Sequence, residues 1–88
     1  MAEAKVQITN RLGLHLRAAS ALAETARRFK ARVTITTDGG KADARSVINL
    51  MMLGAGQGKR LKLRAEGEDA RAALDAVRGL IKDRFGED

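Results

Sequence analysis

AKVQITNRLGLHLRAASALAETARRF, residues 4 to 29, decides the fold. Its first six residues alternate, with Ala4, Val6 and Ile8 on one side and Lys5, Gln7 and Thr9 on the other. That is a strand with one buried face. Asn10, Arg11 and Gly13 supply a loop. From Leu16 to Phe29 the period lengthens, and Ala19, Leu22, Ala23, Ala26 and Phe29 fall on one helical face. Ser20, Glu24, Arg27 and Arg28 lie largely on the other. The only histidine of the chain, His15, stands where the one pattern gives way to the other, two residues before Arg17.

Outward from this stretch the same two periods recur. ARVTITTDGG sets Val33, Ile35 and Thr37 against Arg32, Thr34 and Thr36, and Asp38-Gly39-Gly40 is a hairpin turn. Lys41 to Ala44 forms a short return strand at the sheet edge. Ser46 opens a short helix, SVINLMML, and Gly54 is placed to end it. Lys59 to Ala65 alternates again, with Leu61, Leu63 and Ala65 on one face. Gly67-Glu68-Asp69 leads into a last helix whose stripe is Ala70, Ala73, Leu74, Val77, Leu80 and Ile81. Acidic residues at its start and Lys82 and Arg84 near its end suit the helix dipole. The order is β-α-β-β-α-β-α, an α+β arrangement. Strands of alternating character predict a sheet covered on one face and open to solvent on the other.

Eighty-eight residues make one domain, 1–88, with a core large enough for one helical layer. There is no internal repeat, low-complexity segment or linker. The absence of cysteine excludes disulfides and thiol catalysis, and one histidine without cysteine argues against a transition-metal site. No motif calls for a cofactor. No apolar run reaches the roughly 20 residues of a membrane span, and MAEAKVQIT lacks a hydrophobic signal segment. Both fit a cytoplasmic protein without membrane insertion. The net charge of +6 suits acidic partners. Nucleic acid is the weaker reading, because the basic residues are spread out and only Phe29 and Phe85 offer a stacking face.

Three segments are candidates for function. GAGQGK, residues 54 to 59, fails as a phosphate loop: Arg60 follows Lys59, and a strand follows where a helix is required. The short helix is apolar nearly all round, so some of Val47, Ile48, Met51 and Met52 are expected to stay exposed as a docking patch. His15 precedes a helix whose first N–H groups have no intrahelical acceptor and favour an anion. The positive helix end and Arg17 disfavour the imidazolium, and a neutral ring keeps a lone pair for nucleophilic attack. A phosphoryl group there meets the helix amides and the Arg17 guanidinium. A plain surface histidine remains the competing reading.

Gly13-Leu14-His15-Leu16-Arg17-Ala18-Ala19 resembles the G-L-H-x-R-P-A signature of the HPr histidine phosphocarriers of the bacterial phosphotransferase system. Arg45-Ser46-Val47-Ile48-Asn49-Leu50-Met51 is similar to the family's second motif, around a regulatory serine. Leu53-Gly54, Gln57-Gly58 and Glu66 to Asp69 fit the family's turns, so the resemblance spans essentially the whole chain. It implies an open-faced β-sandwich, a four-stranded antiparallel sheet covered on one face by three helices. It implies a carrier with a covalent phosphohistidine intermediate, charged on His15 by phosphorylated enzyme I and discharged to IIA domains of sugar permeases. In the family the modified atom is Nδ1.

The resemblance also implies that Arg17 is the cation beside the phosphoryl group. Leu14, Leu16, Ser20, Val47, Ile48, Met51 and Met52 fall at its partner-docking positions. Ser46 falls where a serine kinase, with a matching phosphorylase, acts in some members. A monomer is expected. Two residues depart from the pattern. Ala18 replaces the proline that pre-sets the first helical turn, so the helix start is expected to survive with slightly more fraying. Leu16 replaces a smaller residue, which keeps open an alternative, a regulatory module of the nitrogen-type system that acts by protein binding.

Overall fold

The computed structural model describes residues 1–87. The elements are β1 (Ala2–Gln7), α1 (Leu16–Ala26), β2 (Arg32–Thr37), β3 (Gly40–Asp43), α2 (Val47–Met52), β4 (Arg60–Glu66) and α3 (Ala70–Lys82), with a short 3-10 turn at Arg84–Gly86. The strands run in the order β1-β4-β2-β3, antiparallel throughout. The expected order and open-faced architecture are both present.

Register follows from which face is buried. Leu63 stands opposite Ala4 on one side and Ile35 on the other, and Ile35 stands opposite Ala42. This row crosses all four strands, and apart from the half-buried Ala4 it is buried under the helices. One residue along, Lys5, Lys62, Thr36 and Lys41 form the matching row on the opposite face. α1 contributes Ala18, Ala19, Leu22, Ala23 and Ala26 to the core, and α3 contributes Ala70, Ala73, Leu74, Val77 and Ile81. Leu80 packs at the margin. Among the described residues no helix is long and apolar enough to cross a membrane.

Two expectations need correction. α1 stops at Ala26, not Phe29. The Arg28 and Phe29 amides donate to Thr25 and Ala26, so the chain tightens into i→i−3 turns before β2. Arg84 lies beyond α3, in the 3-10 turn, and so is not one of its last-turn residues. Asp69 does precede α3, but its carboxylate does not cap that helix. It accepts from the amides of Lys30, at 3.0 Å, and Ala31, at 2.7 Å. Those bonds, the Lys30 one first, hold the Asp69 carboxyl below its ordinary value of 3.8. Arg45 grips the same segment from its other side, donating through Nη2 to the carbonyls of Phe29, Lys30 and Ala31.

Leu63 is fully buried on β4, one of the two inner strands of the sheet. Leu63→Ala is therefore expected to lower unfolding free energy by about 2–5 kcal/mol, read from the urea midpoint at unchanged slope.

Candidate functional site

The loop between β1 and α1 is folded by its own polar groups. Asn10 is fully buried. Its Nδ2 donates to the Gly13 carbonyl at 2.8 Å, and the Gly13 amide donates to the Asn10 carbonyl at 3.2 Å. Gly13 has φ +66, and a Cβ there would lie 2.6 Å from the Cα of Gly56. No other residue fits both the backbone angle and the space. The Leu14 amide then donates to the Ala55 carbonyl, fixing the loop against the segment that follows α2.

His15 is the N-cap of α1 with extended backbone, but its side chain does not cap the helix. Among the described residues the amides of Leu16, Arg17 and Ala18 donate to no protein acceptor, and the ladder begins with the Ala19 amide on the His15 carbonyl. Three donors at the positive end of a helix dipole are thus left for a ligand.

The imidazole has a partner that periodicity did not reveal. Nε2 of His15 lies 2.6 Å from Oε2 of Glu87, and the other oxygen of that carboxylate accepts from Asn10 Nδ2 at 3.0 Å. The His15 and Glu87 side chains are 26% and 18% exposed, so the pair is only partly open to water. The hydrogen bond from His15 is the chief cause holding the Glu87 carboxyl below its ordinary value of 4.5. Burial opposes it, while the Asn10 bond and the charges of His15 and Arg17 add to it. An ionised carboxylate only accepts, so Nε2 carries the hydrogen. In the neutral ring the lone pair is then on Nδ1. The expectation built from Arg17 and the helix end counted only positive charge and left this anion out.

Around the ring is an open cleft of about 900 Å³. Arg11, Arg17 and Arg84 line it with Thr9, Gln57, Leu12, Leu16 and Glu87, so three guanidinium groups face one carboxylate. Of the predicted site residues, His15, Leu16 and Arg17 are brought together here. Ser46 lies elsewhere, as the N-cap of α2, its Oγ accepting from the Asn49 amide at 3.2 Å. Beside it Ile48 and Met52 are 71% and 77% exposed, Met51 is exposed and Val47 half-buried. Leu16 and Ser20 are exposed on α1. Leu14 corrects its assignment as a docking residue: at 6% exposure it faces the core and sets the loop instead.

Residues 2–83 match the family model described as PTS HPr component phosphorylation site. The chain belongs to the HPr phosphocarrier family. It is 39% identical over 88 residues to phosphocarrier protein HPr of Xylella fastidiosa, covering 100% of this chain and 99% of that one. It is 48% identical over 85 residues to phosphocarrier protein NPr of Shewanella violacea, covering 97% and 93%. The solved HPr-C-His of Thermoanaerobacter tengcongensis superposes with a TM-score of 0.95 at 39% identity, over 100% and 99% of the two chains. An HPr dimer from the same organism matches at 0.78, 39% identical over 99% and 100%. HPr proteins act as phosphocarriers that interact with other proteins of the phosphotransferase system. Relatives carry both names, so the nitrogen-type alternative is not favoured.

Arg11, Gln57, Arg84, Asn10 and Glu87 were not among the predicted site residues. Gly86 signals a break after α3, but no local pattern says where the next carboxylate lands. The depressed Glu87 carboxyl gives the sign of a pH effect. Its bond to His15 is fully present above the ordinary value of 4.5 and is lost as pH falls through the lower folded value. The side-chain carboxyl carbon of Glu87 is therefore expected to titrate with its midpoint below the ordinary 4.5, read from its NMR shift. Glu87→Gln is expected to abolish that transition. A parent transition centred above the ordinary glutamate range contradicts the assignment.

Proposed function

We propose that His15 accepts a phosphoryl group on Nδ1 from phosphorylated enzyme I and hands it to a IIA domain of a sugar permease complex. The supporting observation is the 2.6 Å bond that commits Nε2 to Glu87 and leaves Nδ1 as the nucleophile. The Nδ1 lone pair attacks phosphorus. The bond from phosphorus to the donor breaks, and its electron pair leaves with the donor. The ring becomes positive while Nε2–H remains on Glu87, whose carboxylate stabilises that charge. Arg17 and the amides of residues 16–18 meet the phosphoryl oxygens. Helix-end stabilisation of about 0.3–1 kcal/mol, up to about 2 when partly buried, holds the group without trapping it. Discharge is the same step with the acceptor as nucleophile.

In this reading the chain works as one HPr-like domain, a monomer in the cytoplasm. Partners dock on Leu16, Ser20 and the exposed apolar residues of α2, with Leu14 holding the loop from below. Incubation with enzyme I and phosphoenolpyruvate is expected to add one acid-labile phosphoryl group, and His15→Ala to take none. Equal labelling of the two proteins sinks the reading.

A regulatory role of Ser46 rests on its cap geometry. Phosphorylation by a serine kinase adds about −1.5 to −2 charges at the start of α2, next to the docking residues. The helix is compatible with that charge, while an acidic partner is repelled. Ser46→Ala is expected to cost about 0.5–2 kcal/mol of stability through the lost cap. Ser46→Asp is expected to keep the stability but bind enzyme I more weakly. Parent-level binding by the aspartate variant argues against regulation here.

A further inference from the structure

The turn after α3 is more contorted than a helix end requires. Arg84, Phe85 and Gly86 have φ of +57, +57 and +76 in succession. Glycine adopts such angles freely, but Arg84 and Phe85 do so at a cost, and residues held this way cluster at functional sites. The turn is held from several directions. The Gly86 amide donates to the Asp83 carbonyl at 3.0 Å and the Glu87 amide to the Arg84 carbonyl at 2.9 Å. Phe85 packs against the core, and Glu87 is anchored by Asn10 and His15.

What the contortion accomplishes is placement. It brings Arg84 to the wall of the cleft that His15 and Arg17 also line. Among the described residues the Arg84 side chain has no hydrogen bond and no anionic partner. Arg45, by contrast, spends its guanidinium on three carbonyls. A cation left free, on strained backbone, beside a histidine and a helix start with three open amides, is a cation set aside for an anion.

We propose that Arg84 is a second phosphoryl-binding cation of the site, holding the oxygens of the incoming group together with Arg17 of α1. This rests on the reading of His15 as phosphoryl acceptor, and it adds a ligand drawn from the segment after α3.

Potassium phosphoramidate tests it without any partner protein. Nδ1 forms the bond to phosphorus, the phosphorus–nitrogen bond of the donor breaks, and the already protonated nitrogen leaves as ammonia. Arg84→Ala is expected to lower the second-order rate of labelling at His15 about three- to fivefold, with the difference shrinking as salt is added. Arg84→Lys is expected to restore at least half of the rate. Arg84→Gly, which relieves the backbone angle, is expected to label as slowly as the alanine variant while its Tm equals or exceeds the parent's. A structural role alone would not separate rate from Tm in this way. Parent-like labelling by the glycine and alanine variants, or a lysine variant as slow as alanine, overturns the proposal.

Titration with inorganic phosphate, followed by the amides of residues 16–18, reads the anion site with no transfer involved. Arg84→Ala is expected to need about three- to fivefold more phosphate for the same shift. If His15 takes no label while phosphate still binds through Arg84, the acceptor reading fails and the anion site stands. If the parent labels normally and the Arg84 variants match it in both assays, the acceptor reading stands and Arg84 is not part of the site.

Discussion

The Nδ2 group of Asn10, buried at the bottom of the β1–α1 loop, donates to Gly13 at 2.8 Å and to Glu87 at 3.0 Å. Through Gly13 it shapes the turn that presents His15 at the head of α1. Through Glu87 it ties down the segment that returns after α3. The same carboxylate then fixes the hydrogen on Nε2 of His15. One side-chain amide thus couples the position of the imidazole to its tautomer. Both are needed for Nδ1 to act as a nucleophile, since a correctly placed ring with its hydrogen on the wrong nitrogen offers no lone pair.

The parts of the fold with a period were legible in the sequence. Val33 and Ile35, like Leu61, Leu63 and Ala65, mark their buried face by alternation alone. The stripes of α1 and α3 follow the helical period. What was not legible lies in single side chains that reach across the molecule. Asp69 serves the amides of Lys30 and Ala31, and Glu87 serves Asn10 and His15, partners 77 and 72 residues away respectively. In the sequence Asp69 looks like a helix-start charge and Glu87 like a solvated acid. Only tertiary packing decides which backbone or ring lies within reach. The early end of α1 has the same origin. Phe29 continues the helical stripe in sequence, but Asp69 and Arg45 claim the amides and carbonyls of the segment beside it.

α2 answers to a different constraint, its length. Six residues make less than two turns, and only Leu50 is fully inside. Ile48 and Met52 therefore stay in water at an energetic cost that a longer helix would avoid. The Ser46 cap offsets part of it by satisfying one amide. Stability and docking are set against each other within a single turn and a half of helix, with a modifiable hydroxyl at its start. Leu14 and Leu16 divide in the same way: the loop turns one into the core and leaves the other out.

Ala18 can be understood within these constraints. Proline at this position, as the family signature has it, fixes φ and removes an N–H. Alanine gives up that constraint, yet α1 begins at Leu16 all the same. The Asn10–Gly13 pair sets the approach from one side, and the fully buried Ala18 methyl group sets it from the other. Because the loop is pinned by tertiary contacts, the helix start does not depend on a residue with a built-in angle. What alanine adds is a donor. With proline the first turn would offer the amides of Leu16 and Arg17, and with alanine it offers a third. The substitution exchanges local stiffness, supplied here by packing, for one more hydrogen bond at the place where an anion is received.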